Sequence, residues 1–205
     1  KLLRDLCPGK CGSLPRGFSL VLGRLIFTAG DRELWSTDGT AEGTRVVSST
    51  ICPNPCQGIT LLGVWQGAAI LDALTGPATG PIASEVWRTD GTTAGTFRLA
   101  GPFFNFSGTL TAIYPLGDRY FFFVSCDFSL NCSLFRSDGT RAGTAPFLAA
   151  GVTLPFANPH SFAVWQDRLI FISFTDFSTP EGLWSTDGTP EGTVRLADVH
   201  EAPSD

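Results

Sequence analysis

The chain of 205 residues contains no methionine, two histidines and two tyrosines, and only 16% of its residues are charged. With so few histidines, little remains for His-centred catalysis: His160 and His200 have no evident Ser or Cys partner and read as surface or turn residues. No Gly-rich phosphate loop, HExxH or GxSxG element is present. No apolar run approaches the ~18 residues a helix needs to span a bilayer, and the longest aromatic burst, residues 120–124, has the length of a strand. Membrane insertion by a helix is thereby excluded. The 14 basic and 19 acidic residues give a formal charge of −5, and the basic ones are scattered singly. That distribution argues against a nucleic-acid partner, which needs a basic stripe to track phosphates. Nothing reads as a helix of useful length. The lack of Met, the start at Lys1 and the lack of a leader-like apolar segment fit a mature chain whose leader has been removed.

What is present is ample core material, 43% hydrophobic residues with 12% aromatic, enough for one compact domain or one set of repeats. The six cysteines fall into three local pairs, Cys7 with Cys11, Cys52 with Cys56, and Cys126 with Cys132. An even count in close pairs is expected of an oxidising, secreted or cell-surface setting, each bridge clipping one loop. Zinc on the two Cys-x3-Cys pairs is the alternative, but the inner spacers PGK and PNP form turns and the third pair would be left without a metal.

One turn is spelled four times: LWSTDGTAEGT from Leu34, VWRTDGTTAGT from Val86, LFRSDGTRAGT from Leu134 and LWSTDGTPEGT from Leu183. The marker pairs Asp38-Gly39, Asp90-Gly91, Asp138-Gly139 and Asp187-Gly188 are separated by 52, 48 and 49 residues. A period near 50 made of strands and turns is the pattern of a propeller blade. In the first unit, residues 18–22, 25–29, 33–37 and 44–48 read as strands. The expected fold is therefore all-β, a four-bladed β-propeller in one domain over residues 1–205. Its repeats run roughly over 7–51, 52–103, 104–152 and 153–199, followed by a tail at 200–205. The segment LLRDL, residues 2–6, has the character of a fourth strand and is expected to close the ring beside the strands of residues 161–186.

At these residues the chain resembles the ELWxxDGT repeat family of secreted and surface-associated bacterial proteins. Glu33 opens the motif in the first unit, Gly182 replaces that Glu in the fourth, and Val86, Ser133 and Phe135 are the other departures. The resemblance covers essentially the whole chain and implies the fold; it implies no reaction.

The motif itself has a structural explanation. Asp-Gly is a hairpin signal, because Gly takes positive φ and the Asp carboxylate accepts from backbone N–H groups one or two residues on. Trp35, Trp87, Phe135 and Trp184 then hold equivalent third-strand positions suited to packing between repeats. In an up-and-down sheet the fourth-to-first and second-to-third connections share one face, opposite the DGT turns, and all six cysteines lie on it. The second-to-third loops differ most between units: short near Asp31, long from Asp72 to Ser84, clipped by Cys126 and Cys132, and open over residues 175–182. Variable loops on a rigid scaffold are where binding usually resides. Two of them share a motif, Asp127-Phe128-Ser129 and Asp176-Phe177-Ser178, an acidic residue beside an aromatic ring that suits a sugar or a cationic side chain, or that caps a turn. Asp127, Phe128, Asp176, Phe177 and Asp72 are the candidate binding residues. Asn105 and Asn131 match the glycosylation sequon.

The expected function is a secreted or cell-surface binding or adhesion module that offers this loop face to a glycan or protein ligand. A glycan-directed hydrolase is the alternative, using a carboxylate pair drawn from Asp31, Asp72, Asp127, Asp176 and Glu181. A structural subunit of an extracellular assembly is the third. No metal or cofactor is required by any of these, although an ion in a central channel is compatible with the fold.

Overall fold

The structure is a computed structural model that describes residues 3–6, 12–30, 32–77, 80–105, 110, 112–127, 129, 131–151, 156–174 and 180–199. It is all-β with antiparallel pairing throughout, in two compact units, Lys1–Ala112 and Ile113–Asp205. The first unit holds two four-stranded sheets. One is β1 (Arg16–Val21), β2 (Arg24–Ala29), β3 (Glu33–Thr37) and β4 (Arg45–Ser48); the other is β5 (Cys56–Trp65), β6 (Ala68–Thr75), β7 (Ile82–Thr89) and β8 (Phe97–Asn105). In each, sequence neighbours are also sheet neighbours.

The second unit holds β9 (Tyr114–Leu116), β10 (Tyr120–Cys126), β11 (Cys132–Ser137) and β12 (Ala145–Pro146), then β13 (Ala157–Trp165), β14 (Arg168–Phe174), β15 (Gly182–Thr186) and β16 (Val194–Asp198). Here the third and fourth repeats share one eight-stranded sheet, so the described residues form three sheets where the repeat count predicts four. The join is a single pair, Ser133↔Ala157, beside a 3.0 Å bond from the Cys132 N–H to Asn158 Oδ1.

First-to-second-strand hairpins turn on two residues of positive φ, Leu22-Gly23, Gln66-Gly67 and Gln166-Asp167, the geometry that matches strand twist. The DGT turns are built identically in all four repeats. Asp38 Oδ1 accepts from the Thr40 N–H at 2.9 Å and from the Thr40 hydroxyl at 2.7 Å; Thr40 Oγ1 accepts from the Gly43 N–H. The Thr44 hydroxyl donates to the Thr40 carbonyl and lies 2.7 Å from Thr37 Oγ1, which accepts from the Gly39 N–H. Asp90, Asp138 and Asp187 repeat these bonds, and Gly39, Gly91, Gly139 and Gly188 all carry φ between +80° and +91°. Every fixed letter of DGTxxGT thus has a hydrogen-bonding or steric task.

The adjacent Leu-Trp pair sends alternate side chains to opposite faces of each sheet. In the first unit Ile26, Leu34 and Val47 of one sheet pack on Ala69, Leu71 and Trp87 of the next. In the second, Phe122, Leu134 and Phe147 pack on Leu169, Phe171 and Trp184. Within each unit the Leu face of the earlier repeat therefore meets the Trp face of the later one.

Residues 3–6, expected as a closing strand, carry no strand assignment. They are held in the first repeat: Leu6 packs on Phe27, Ala29 and Trp35, and Arg4 lies over the Trp35 ring and donates to the carbonyls of Ala41 and Thr44. Cys52–Cys56 and Cys126–Cys132 are disulfides, as oxidising conditions would give; Cys7 and Cys11 lie outside the described residues. No helix among the described residues is long and apolar enough to cross a membrane.

Candidate functional site

Backbone bonds in the first unit bring the two kinds of loop expected on one face together. The Gly30 N–H, after β2, donates to the Ser13 carbonyl before β1, and the Gly76 N–H, after β6, donates to the Pro55 carbonyl before β5, both at 2.8 Å. The Cys52–Cys56 bridge closes the approach to β5 at this same end. Between the first two sheets, at this loop end, lies a cleft of about 500 Å³. Its lining joins the start of β1 (Arg16, Gly17), the end of β2 (Thr28), the first half of β5 (Gln57 to Leu61) and the end of β6 (Leu74).

Each side chain has a local reason for its place. Gly17 and Gly58 take positive φ beside irregularities in the β1–β2 and β5–β6 registers; such bulges re-aim side chains. The Thr28 hydroxyl donates to the Arg16 carbonyl at 3.3 Å, and the Gln57 amide donates to the Gly76 carbonyl at 2.8 Å. These two bonds fix the rim, while Arg16, Gln57 and Thr60 are exposed. Ile59, Leu61 and Leu74 supply an apolar wall. Among the described residues the lining contains a guanidinium, two hydroxyls and a carboxamide, and no carboxylate. It can donate hydrogen bonds and cover an apolar face of a ligand.

Asp72 and Asp127, singled out in the sequence, do not line this cleft. Asp72 is 1% exposed, because β6 runs on to Thr75 and the loop is confined to residues 76–81. Its carboxylate accepts from the Ser84 hydroxyl at 2.6 Å. Burial pushes its pKa up to about 6, against the opposing pull of the Ser84 and Glu85 hydrogen bonds.

Asp127 is exposed but committed to its own turn: Oδ1 accepts from the N–H groups of Ser129 and Asn131, and Oδ2 from the Asn131 amide. The Asn131 amide and N–H, which contribute most, hold its pKa below the ordinary value. That is the turn-capping role, and it also occupies the Asn131 side chain of the sequon. Phe128, Asp176, Phe177, Asp31, Cys7, Cys11 and His200 lie outside the described residues. His160 Nε2 stands 3.8 Å from Glu181 Oε1 with both side chains partly exposed, and its Nδ1 is 3.0 Å from the Asn158 carbonyl. Asp38, Asp90, Asp138 and Asp187 are each bonded within their own turns. Among the described residues no group of three or more His, Cys, Asp and Glu is placed to hold a metal ion.

Arg16, Thr28, Gln57 and Thr60 escaped the sequence reading. The available signal was their position at the loop ends of the first strands (Arg16, Gln57, Thr60) and of a second strand (Thr28), next to a cysteine pair.

No family model matches the chain, and no curated protein is similar to it at a significant level. Among solved structures it is similar to the GH74 xyloglucanase from Xanthomonas campestris, with TM-score 0.47 and 10% identity over 89% of this chain and 30% of that one. A GH43_1 enzyme from Xanthomonas citri complexed with xylose gives TM-score 0.38 and 8% identity over 92% of this chain and 74% of that one. A family 117 glycoside hydrolase from Zobellia galactanivorans gives 0.39 and 11% over 93% and 70%. The chain thus spans under a third of the xyloglucanase.

Proposed function

We propose that the chain is an extracellular binding module of the ELWxxDGT repeat type. Each repeat is one propeller blade, and the cleft between the first two sheets receives an acidic glycan. The blade reading is supported by four consecutive strands per repeat and by Leu-face-on-Trp-face packing within each unit. The ligand class rests on one observation. A cleft of about 500 Å³ at the disulfide-clipped loop end offers Arg16 with Thr28, Gln57 and Thr60 and, among the described residues, presents no carboxylate. Such a lining favours a hydroxyl-rich ligand carrying negative charge, with the Ile59, Leu61 and Leu74 wall set against the apolar face of a sugar ring.

Hydrolysis by the loop-face carboxylates receives less support. Asp72 is buried, Asp127 caps its turn, and neither lines the cleft.

Calorimetric titration with uronate-containing and neutral oligosaccharides tests the proposal. The acidic ligands bind, and Arg16→Ala or Gln57→Ala weakens them about tenfold, the scale of one charge-assisted or well-placed hydrogen bond, with the circular dichroism unchanged. Binding that ignores both substitutions, or release of reducing ends lost in Asp127→Asn, would overturn it.

A further inference from the structure

The Cys52–Cys56 bridge bears directly on the cleft between the first two sheets. Cys52 is fully buried, and its Sγ stands 3.1 Å from the Leu74 carbonyl oxygen and 3.6 Å from that of Gly58. Gly58 and Leu74 both line the cleft. On the other side of the bridge Cys56 opens β5 opposite Thr75, and the next pair is Gly58 with Leu74. Gln57 is the residue left over at that shift of register, so the bulge presents it, exposed, at the rim. A half-cystine and the bulged, cleft-lining residue are thus neighbours in sequence.

The second bridge is placed differently. Cys126 and Cys132 are directly opposed in the β10–β11 register, and the turn between them is tied without the sulfurs. There the Asp127 N–H donates to the Asn131 carbonyl at 3.0 Å, and Asp127 Oδ1 accepts from the N–H groups of Ser129 and Asn131. At the Cys52–Cys56 loop the bonds run outward instead: the Pro55 carbonyl accepts from the Gly76 N–H, and the Gln57 amide donates to the Gly76 carbonyl, both at 2.8 Å. Pro53, Asn54 and Pro55 are exposed. Opening this bridge therefore loosens the segment that leads into the cleft wall.

We propose that the Cys52–Cys56 disulfide is a redox-sensitive positioning element of the cleft: oxidised, it holds Gln57 and the wall from Gly58 to Leu61 for binding, and reduced by an external dithiol, it releases them. A thiolate of the dithiol attacks Sγ of the half-buried Cys56, and Cys52 leaves as a thiolate that takes up a proton. The dithiol's second sulfur then displaces Cys56, so the reductant ends as a disulfide and its two electrons and two protons end on the two cysteines. A disulfide sulfur has no proton to offer a carbonyl, whereas a thiol is a weak donor. The Leu74 and Gly58 carbonyls are thus acceptors already in place for reduced Cys52. A bridge of sequence separation 4 constrains the unfolded chain little, so its opening acts on the cleft more than on the fold. The consequence for the ligand rests on the glycan reading; the release of the loop does not.

The test compares the intact chain with the double variant Cys52→Ser, Cys56→Ser. Without ligand, hydrogen exchange at the Gly76 amide, which is bonded to the Pro55 carbonyl, speeds up about tenfold in the variant. Exchange at the Gly30 amide, bonded to the Ser13 carbonyl, stays as in the wild type. In calorimetric titration with a uronate-containing oligosaccharide the variant binds about tenfold more weakly, while Cys126→Ser, Cys132→Ser binds as the wild type does. Dithiothreitol lowers the affinity of the wild-type chain in the same way, and reoxidation restores it. Unchanged exchange at Gly76 overturns the inference. So does an affinity that is unchanged, or one that falls equally when the second bridge is removed. A wild-type chain that binds no uronate overturns the glycan reading, and the Gly76 exchange alone then decides the inference. Should the Ser variant fail to fold, Cys52→Ala with Cys56→Ala replaces it under the same criteria.

Discussion

A Cβ placed on Gly43 would lie 1.9 Å from Asp38 Oδ1, and the same collision recurs for Gly95 with Asp90, Gly143 with Asp138 and Gly192 with Asp187 at 2.0–2.1 Å. The two glycines of the motif thus serve different ends. Gly39 supplies a φ of +89°, whereas Gly43 has an ordinary φ and leaves space for a carboxylate. Gly43→Ala is expected to cost about 1–3 kcal/mol by overpacking and by prising Asp38 from Thr40, lowering the melting temperature by several degrees. Because the penalty arises from the pair, adding Asp38→Ala to Gly43→Ala should cost less than the two single changes together, a non-additivity that a double-mutant cycle in urea would read.

Asp72 gives the stability a pH dependence of known sign. Its pKa is raised from 3.8 to about 6 by burial. Below 3.8 the folded and unfolded states both hold the proton. Between 3.8 and about 6 only the folded state does, so stability falls as pH rises; above about 6 the buried ion bears the full penalty. That penalty is on the order of 2–3 kcal/mol. In Asp72→Asn this component disappears, and the variant gains on the wild type progressively from pH 4 to pH 7. Urea midpoints at both ends of the range check it; a constant difference between the two proteins would refute the assignment.

How legible all this was from the sequence depends on the element. The DGT turns follow from Asp-Gly spacing, and the hydrogen bonds of all four bear that out; the period and the loop face are read from the same spacing and from strand alternation. Asp72 was misplaced because Asp is disfavoured in strands and a Pro/Gly-rich segment follows; the compensation, Ser84 on the facing strand, is a tertiary contact no local pattern announces. The Glu of the ELW motif went unexplained for a similar reason. Residues two apart in a strand share a face, and the indole N–H groups of Trp35 and Trp87 donate to Glu33 and Glu85 at 3.0 Å. Where Gly182 replaces that Glu, the Arg195 side chain fills the space and Trp184 turns to the Ser173 carbonyl.

An exchange between strands also links the repeats. Where the third strand has Ser36 or Ser185, the second begins with Arg24 or Arg168; where it has Arg88 or Arg136, the second begins with Ala68 or Tyr120. Arg24 reaches Ser36 Oγ at 2.7 Å, the Gly43 carbonyl and, at 3.4 Å, Asp38 Oδ2, while Arg136 stacks on Tyr120 at 4.5 Å. A lysine ammonium cannot serve three divergent acceptors as the guanidinium fork does. Arg24→Lys is expected to lose about 1 kcal/mol, and Arg168→Lys, which gives up the same bonds to Ser185 and the Gly192 carbonyl, a similar amount, both measurable by urea denaturation.

The N-terminal segment should contribute to stability through the first repeat. Trp35 is 5% exposed and Phe27 4%, although both lie on the sheet face that leaves Phe18 and Leu25 open. Leu6 packed on Phe27, Ala29 and Trp35, with the Arg4 guanidinium 5.9 Å from the Trp35 ring centre, accounts for that burial. Arg4 also satisfies the Ala41 and Thr44 carbonyls next to the DGT turn. Removing residues 1–6 returns an indole and a phenyl ring to water and leaves two carbonyls to the solvent, a loss of about 1–3 kcal/mol. At ~2–4 °C per kcal/mol for a chain of this size, the melting temperature falls by several degrees. Trp35 fluorescence, isolated by replacing the other four tryptophans with Phe, shifts to longer wavelength in the native state. Leu6→Ala reproduces part of both changes. An unchanged midpoint and an unchanged emission maximum after the deletion would mean that the first repeat buries Trp35 without the segment.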